Sequence, residues 1–143
     1  MKIAIAADHG GYELKEALKR HYSAWNMLDL GTDSADSVDY PDYAVKMVQT
    51  MRQGKADFGI LICGTGIGIS IAANRYKGIR AALLYSQEAA RLAKQHNNAN
   101  IVVFGGRTMP VEQVIKCLDT FMQATYEGGR HQRRLDKLDM REE

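Results

Sequence analysis

Apolar positions along the chain switch between two periods. Residues 2–8, KIAIAAD, form a short, nearly continuous apolar run, the pattern of a strand covered on both faces. From Gly11 to Trp25 the apolar positions Leu14, Ala17, Leu18 and Tyr22 recur at helical spacing. A second strand is predicted over 27–31, and a loop rich in Asp and Ser over 32–41. Pro41 can open the next helix, whose face carries Ala44, Met47, Val48 and Met51 and whose stop is Gly54. FGILIC at 58–63 is the most apolar run and the candidate central strand. GTGIGIS follows and must be a loop feeding a short helix. Residues 78–85 predict a fourth strand, 86–96 a helix with Ser86 as N-cap, and 100–106 a fifth strand. From Pro110 to Tyr126, Val111, Val114, Ile115, Leu118, Phe121 and Met122 keep one helical face, which Gly128-Gly129 ends. The tail is polar, with Leu135 and Leu138 three apart.

Strands separated by helices predict an α/β domain: a five-stranded parallel sheet, helices on both faces, and a C-terminal tail. The 143 residues suit a single domain, 1–143. Hydrophobic residues at 45% and charged residues at 25% exclude general disorder. No apolar run reaches the roughly 20 residues that cross a bilayer, so no membrane association is expected. Nineteen Lys and Arg against 17 Asp and Glu leave a net charge of +2, too little for a nucleic-acid coat. The N-terminal apolar run is too short for a signal peptide. With Cys63 and Cys117 read as reduced thiols, the expectation is a cytoplasmic protein.

Open parallel sheets bind ligands at the carboxyl ends of their strands. Asp8, His9, Gly10 and Gly11 follow the first strand there, and Cys63 to Gly68 the third. Tyr85 and Ser86 follow the fourth, and Gly105, Gly106 and Arg107 the fifth. GTGIGIS fits neither the dinucleotide fingerprint nor the Walker pattern. Its alternating glycines can still expose backbone N–H groups to an anion. A thiol beside such groups, as at Cys63, is a candidate base, whereas Cys117 sits mid-helix as a core residue. Asp8-His9 is either an acid–imidazole pair or a helix N-cap by Asp8 beside a solvated histidine. His96, followed by Asn97 and Asn98, is either a proton shuttle or an ordinary helix terminus. His21 and His131 have no comparable context. No tight two-ligand spacing supports a metal among Asp8, His9, Cys63 and His96, and none is expected. On a helix Arg130 and Arg134 share a face, suiting a phosphate as well as a solvated tail. A soft base, an amide-lined oxyanion site, imidazoles and a phosphate clamp together match aldose–ketose isomerisation of a sugar phosphate.

Several segments carry a resemblance over nearly the whole chain, to about Leu138: AADHGGYELK, SVDYPDYA, GILICGTGIGISIAANR, GIRAALLY, HNNANIVVFGGR and YEGGRHQRR. In combination they resemble the type B ribose-5-phosphate isomerases, of the family that also holds the galactose-6-phosphate isomerases. The resemblance implies a three-layer Rossmann-like sandwich and a homodimer, with a tetramer open, whose active sites are shared and whose tail, about 127–143, packs on the partner. It implies no cofactor and a phosphorylated pentose substrate. By position, Cys63 would move the proton between carbons 1 and 2. The amides of Gly64, Gly66, Ile67, Gly68 and Ser70 would form the anion hole. Thr65, Asp8 and His96 would serve ring opening, and Tyr40 and Asn97 would line the sugar site. His9, Arg130 and Arg134 would face the phosphate, with Arg107 arriving from the other subunit. HNNAN stands where HNDAN is common, leaving His96 and Asn97 in place. The His of HNxAN and the GGRH segment favour ribose 5-phosphate over galactose 6-phosphate; allose 6-phosphate stays open. A sugar-phosphate binding module without catalysis is the alternative from another class.

Overall fold

The computed structural model describes residues 1–140; residues 141–143 of the expected domain and tail lie outside the described residues. Five strands form one parallel sheet: β1 (Ile3–Ala7), β2 (Leu28–Asp29), β3 (Phe58–Cys63), β4 (Ala81–Leu83) and β5 (Ile101–Gly105). Their spatial order is β2-β1-β3-β5-β4. The helices are α1 (Tyr12–His21), α2 (Tyr40–Arg52), α3 (Ile67–Ala73), α4 (Gln87–Gln95), α5 (Val111–Gln123) and α6 (Arg130–Met140).

Strand periodicity divides the core in two. Ile3, Ile5, Ala7, Ile60, Ile62, Val102 and Phe104 face α1, α4 and α5. Ala4, Ala6, Leu61, Cys63, Ile101 and Val103 face α2 and α3. This division matches right-handed crossovers. Steps along the sheet toward β2, and from β4 back to β5, put their helices on one face. The steps β2→β3 and β3→β4 run the other way and put theirs on the opposite face.

The expected elements are present, with shorter ends. The predicted 27–31 and 78–85 strands pair over only two and three residues, because each lies at a sheet edge with one neighbour. The predicted 11–25 helix ends at His21 and continues as a 3-10 turn, Ser23–Trp25, closed by Asn26 in the left-handed conformation. The last amphipathic helix stops at Gln123, and Gly128 and Gly129 (φ +68° and +58°) turn the chain into α6. In α6, Leu135 is buried while Leu138 is exposed. Among the described residues, no helix is long and apolar enough to cross a membrane.

A lysine is enclosed by this fold. The side chain of Lys15 is fully buried, its Nζ 2.7 Å from Asp29 Oδ2 and 2.7 Å from Glu16 Oε2. Lys19 adds a 2.6 Å contact to Asp29. Burial alone would raise the Asp29 carboxyl, but hydrogen bonds from Lys15, Lys19 and the Gly31 amide hold it below the usual carboxylate range. The Lys15 hydrogen bond likewise lowers Glu16. Both carboxyls are depressed in the folded state, so their contribution is complete above the ordinary carboxylate range. It is lost as pH falls through the folded values. Lys15→Met is expected to cost about 3 kcal/mol, the low end for breaking a buried pair, because Lys19 still partners Asp29. Urea unfolding at neutral pH measures this cost. The gap from wild type should narrow below about pH 4, as the carboxylates protonate.

Candidate active site

The strand order sets β1, β3 and β5 side by side, so the three loops expected to carry chemistry meet at one edge. Their backbones touch. A Cβ on Gly10 would lie 2.9 Å from the Gly64 nitrogen, and one on Gly106 2.5 Å from the Gly10 carbonyl. Side chains there would push the loops apart. The Gly106 amide donates to the Cys63 carbonyl (2.8 Å) and the Arg107 amide to the Gly64 carbonyl (2.9 Å), tying the β5 loop to the β3 loop.

Cys63 ends β3, buried, and its Sγ accepts the Gly66 amide at 3.2 Å. Gly66 reaches this position with φ +81°, and a Cβ there would collide with Leu83 and Phe104. The loop is less open than its glycines suggest. The Ile67 amide donates to Thr65 Oγ1 and the Ser70 amide to the Gly66 carbonyl. Among the described residues, the Thr65 and Gly68 amides have no acceptor within the chain. Thr65 is exposed, and the Ser70 hydroxyl donates to the Ile67 carbonyl.

Asp8 is buried and accepts the Gly10 amide at Oδ1 (2.8 Å). Helix α1 opens at Gly11 instead, so Asp8 braces the turn and keeps a second oxygen. His9 Nδ1 accepts the Val38 amide (3.2 Å), which leaves Nε2 to carry the ring proton outward. Tyr40, at the start of α2, lays its ring against Gly68, where a Cβ would sit 2.5 Å from ring carbon Cζ. The exposed Arg107 reaches over Gly64 of its own chain, so it joins the Cys63 half of the site and does not arrive from the other subunit as the resemblance implied, because its loop is tied to the β3 loop.

The other half of the predicted site lies elsewhere. His96 caps the C-terminus of α4, which runs back against the strands. It therefore sits at their amino ends, where the Gly59 amide meets the Asn100 carbonyl. Cys63 pairs with Gly105 at the far end of the same ladder. Five strand residues separate the two ends by roughly 13 Å or more. His96, Asn97, His131, Arg134, Leu135 and Leu138 line a cavity of about 360 Å³ there. Arg130 opens α6, one turn before Arg134. A larger cavity, about 960 Å³, adjoins it along residues 74–82 and is likewise remote from Cys63. One chain therefore groups Cys63, Thr65, Asp8, His9, Tyr40 and Arg107 at one edge, and His96, Asn97, Arg130 and Arg134 at the other.

His131 was not expected to matter. It is buried, and its ring stacks on His96 with centroids 4.3 Å apart. Glu127 Oε1 lies 3.4 Å from His131 Nε2 and 3.8 Å from His96 Nε2. The i,i+4 spacing of Glu127 and His131 is the one sequence signal that could have found the pair.

A three-layer α/β sandwich with a thiol, an imidazole and amide donors at its strand ends defines a class of ligand-binding enzyme folds rather than one chemistry. Residues 3–138 match the family described as Ribose/Galactose Isomerase, and the chain belongs to that family. It is 42% identical over 139 residues to the ribose-5-phosphate isomerase B of Escherichia coli K12, covering 96% of this chain and 93% of that protein. A Thermotoga maritima ribose 5-phosphate isomerase structure superposes with a TM-score of 0.93 at 54% identity, covering 96% and 97% of the two chains. A Mycoplasma genitalium ribose-5-phosphate isomerase B structure with bound ribulose-5-phosphate gives 0.89 at 43% identity, covering 96% and 93%.

Proposed function

We propose that this chain, acting as one domain over 1–143, interconverts D-ribose 5-phosphate and D-ribulose 5-phosphate as a cytoplasmic homodimer with shared active sites. The observation that carries the reading is the separation of two complementary half-sites to opposite sheet edges. A second copy brings His96, Asn97, Arg130 and Arg134 of the partner subunit against Cys63, Thr65, Asp8 and His9. Ile67 and Ile71, one turn apart on α3 and each more than half exposed, supply an apolar face for that contact.

His96, with Asp8 and Thr65, moves protons between the ring oxygen and O1, and this opens the hemiacetal. Cys63 Sγ then takes the proton from C2. Its electron pair enters a C1–C2 double bond, and the carbonyl electrons move to O1. Amides of the Gly64–Ser70 loop, Thr65 and Gly68 among them, meet the developing oxyanion. Return of the proton from Cys63 to C1, with transfer of the O2 proton to O1, leaves the ketone at C2 and a hydroxyl at C1. Hydrogen moves within one molecule, so the reaction calls for no redox cofactor. Tyr40 and Asn97 line the sugar. His9 and Arg107 of one chain, and Arg130 and Arg134 of the other, hold the phosphate.

A coupled assay with ribose 5-phosphate, allose 6-phosphate and galactose 6-phosphate tests the reading. Turnover should be fastest on ribose 5-phosphate. In the same assay Arg130→Ala and Arg134→Ala should each raise KM roughly tenfold, with smaller effects on kcat, as loss of a charge-assisted contact predicts. Absence of isomerisation, with pentose phosphate still bound, would favour the binding module.

A further inference from the structure

We propose that His96, Glu127 and His131 form a binding site for one zinc-class divalent cation per chain. Their ligand atoms all lie within 4.8 Å of one another. The two contacts of Glu127 Oε1, 3.4 and 3.8 Å, approach the spacing of about 3.3 Å between neighbouring ligands of a tetrahedral ion with bonds near 2.0 Å. Two imidazoles and one carboxylate are a donor set that zinc uses with its fourth position open. Magnesium and calcium prefer all-oxygen sites.

A second observation is independent of this spacing. The His131 side chain is only 7% exposed, and among the described residues its Nε2 has no hydrogen-bond partner. A buried ring nitrogen without a partner is costly, and an ion would satisfy it. The backbone also holds the donors together. The Glu127 amide donates to the Gln95 carbonyl (3.0 Å), placing Glu127 beside His96. The His131 amide donates to the Gly128 carbonyl (3.1 Å), across the two glycines with left-handed φ. The two rings are nearly parallel, at 16°, and parallel lone pairs do not converge. His96, the more exposed at 37%, must therefore tilt out of the stack while burial keeps His131 in place.

A bound ion occupies the His96 nitrogen. If His96 opens the sugar ring, a consequence resting on the isomerase reading, zinc is a reversible inhibitor relieved by chelation. Binding itself does not depend on that reading. The experiment titrates the chelator-treated full chain with Co²⁺, followed by visible absorption, and then displaces it with Zn²⁺ by calorimetry. One ion per chain is expected, with a tetrahedral cobalt spectrum. Glu127→Gln, a change on a half-exposed side chain, should weaken binding roughly tenfold or more, and His131→Gln similarly, while Cys63→Ser retains it. No uptake overturns the site. So does affinity lost in Cys63→Ser but unchanged in Glu127→Gln, which puts the ion on the thiol. Zinc bound as described without slowing ribose 5-phosphate turnover overturns the inhibition and the ring-opening role of His96, and leaves the site standing.

Discussion

Cys63→Ala is expected to remove turnover while leaving substrate affinity nearly unchanged. The sulfur ends the central strand, buried beneath the three converging loops, with the Gly66 amide 3.2 Å away. The phosphate and hydroxyl contacts in the proposed complex come from other residues, so binding should survive. Losing a positioned base costs on the order of 10²–10⁴ in rate. The fold should tolerate the change, since one buried sulfur is worth about 1 kcal/mol of transfer energy and alanine occupies the same face. Single-turnover kinetics and calorimetric titration with ribose 5-phosphate separate the two effects. Near-wild-type kcat in this variant removes Cys63 from the base role.

Mixing two inactive variants should restore activity. Cys63→Ala and His96→Ala each disable both sites of a homodimer in which one chain supplies the thiol and the other the imidazole. In a hybrid dimer, one site collects both lesions and the other collects none. Random reassortment makes half the dimers hybrids, each with one working site, so about a quarter of wild-type activity should return in a symmetric two-site dimer. Refolding the variants together, or co-expressing them with different tags, gives the measurement. If Cys63 and His96 of the same chain acted together, every site would carry a lesion and no activity would return. The roughly 13 Å or more of strand between them makes that outcome the less compatible with the fold.

Much of this molecule was legible from spacing. The unbroken apolar runs of β1, β3 and β5 required strands covered on both faces. The single-face pattern of Val114, Leu118 and Phe121 required an amphipathic helix, and these residues are buried as expected. Edge strands were overestimated, because each has one neighbour and its paired register stops at Asp29 or Leu83 although the apolar residues run on. Lys15 was illegible. On a helix wheel it reads as a solvated lysine, and its burial is explained by Asp29, fourteen residues away, together with the adjacent Glu16. His131 was passed over for a related reason. Its neighbours His96 and Glu127 are brought to it by the end of α4 and the turn at Gly128-Gly129, which no local pattern encodes.

The alternation of strand and helix, the glycine loop after Cys63, and the residue types able to move a proton and hold an anion are all written in the local pattern of the chain. Local periodicity and steric demand carry that information. Strand order was decided only in three dimensions, where long-range packing sets β5 beside β3 and brings the Asp8, Cys63 and Arg107 loops together. The same packing sends α4 back along the sheet and carries His96 to the opposite edge. An α-helix connecting two parallel strands must return the chain to the amino end. A residue at the close of such a helix therefore cannot reach the carboxyl end of its own sheet, and in the proposed dimer it is the partner subunit that brings the two halves together.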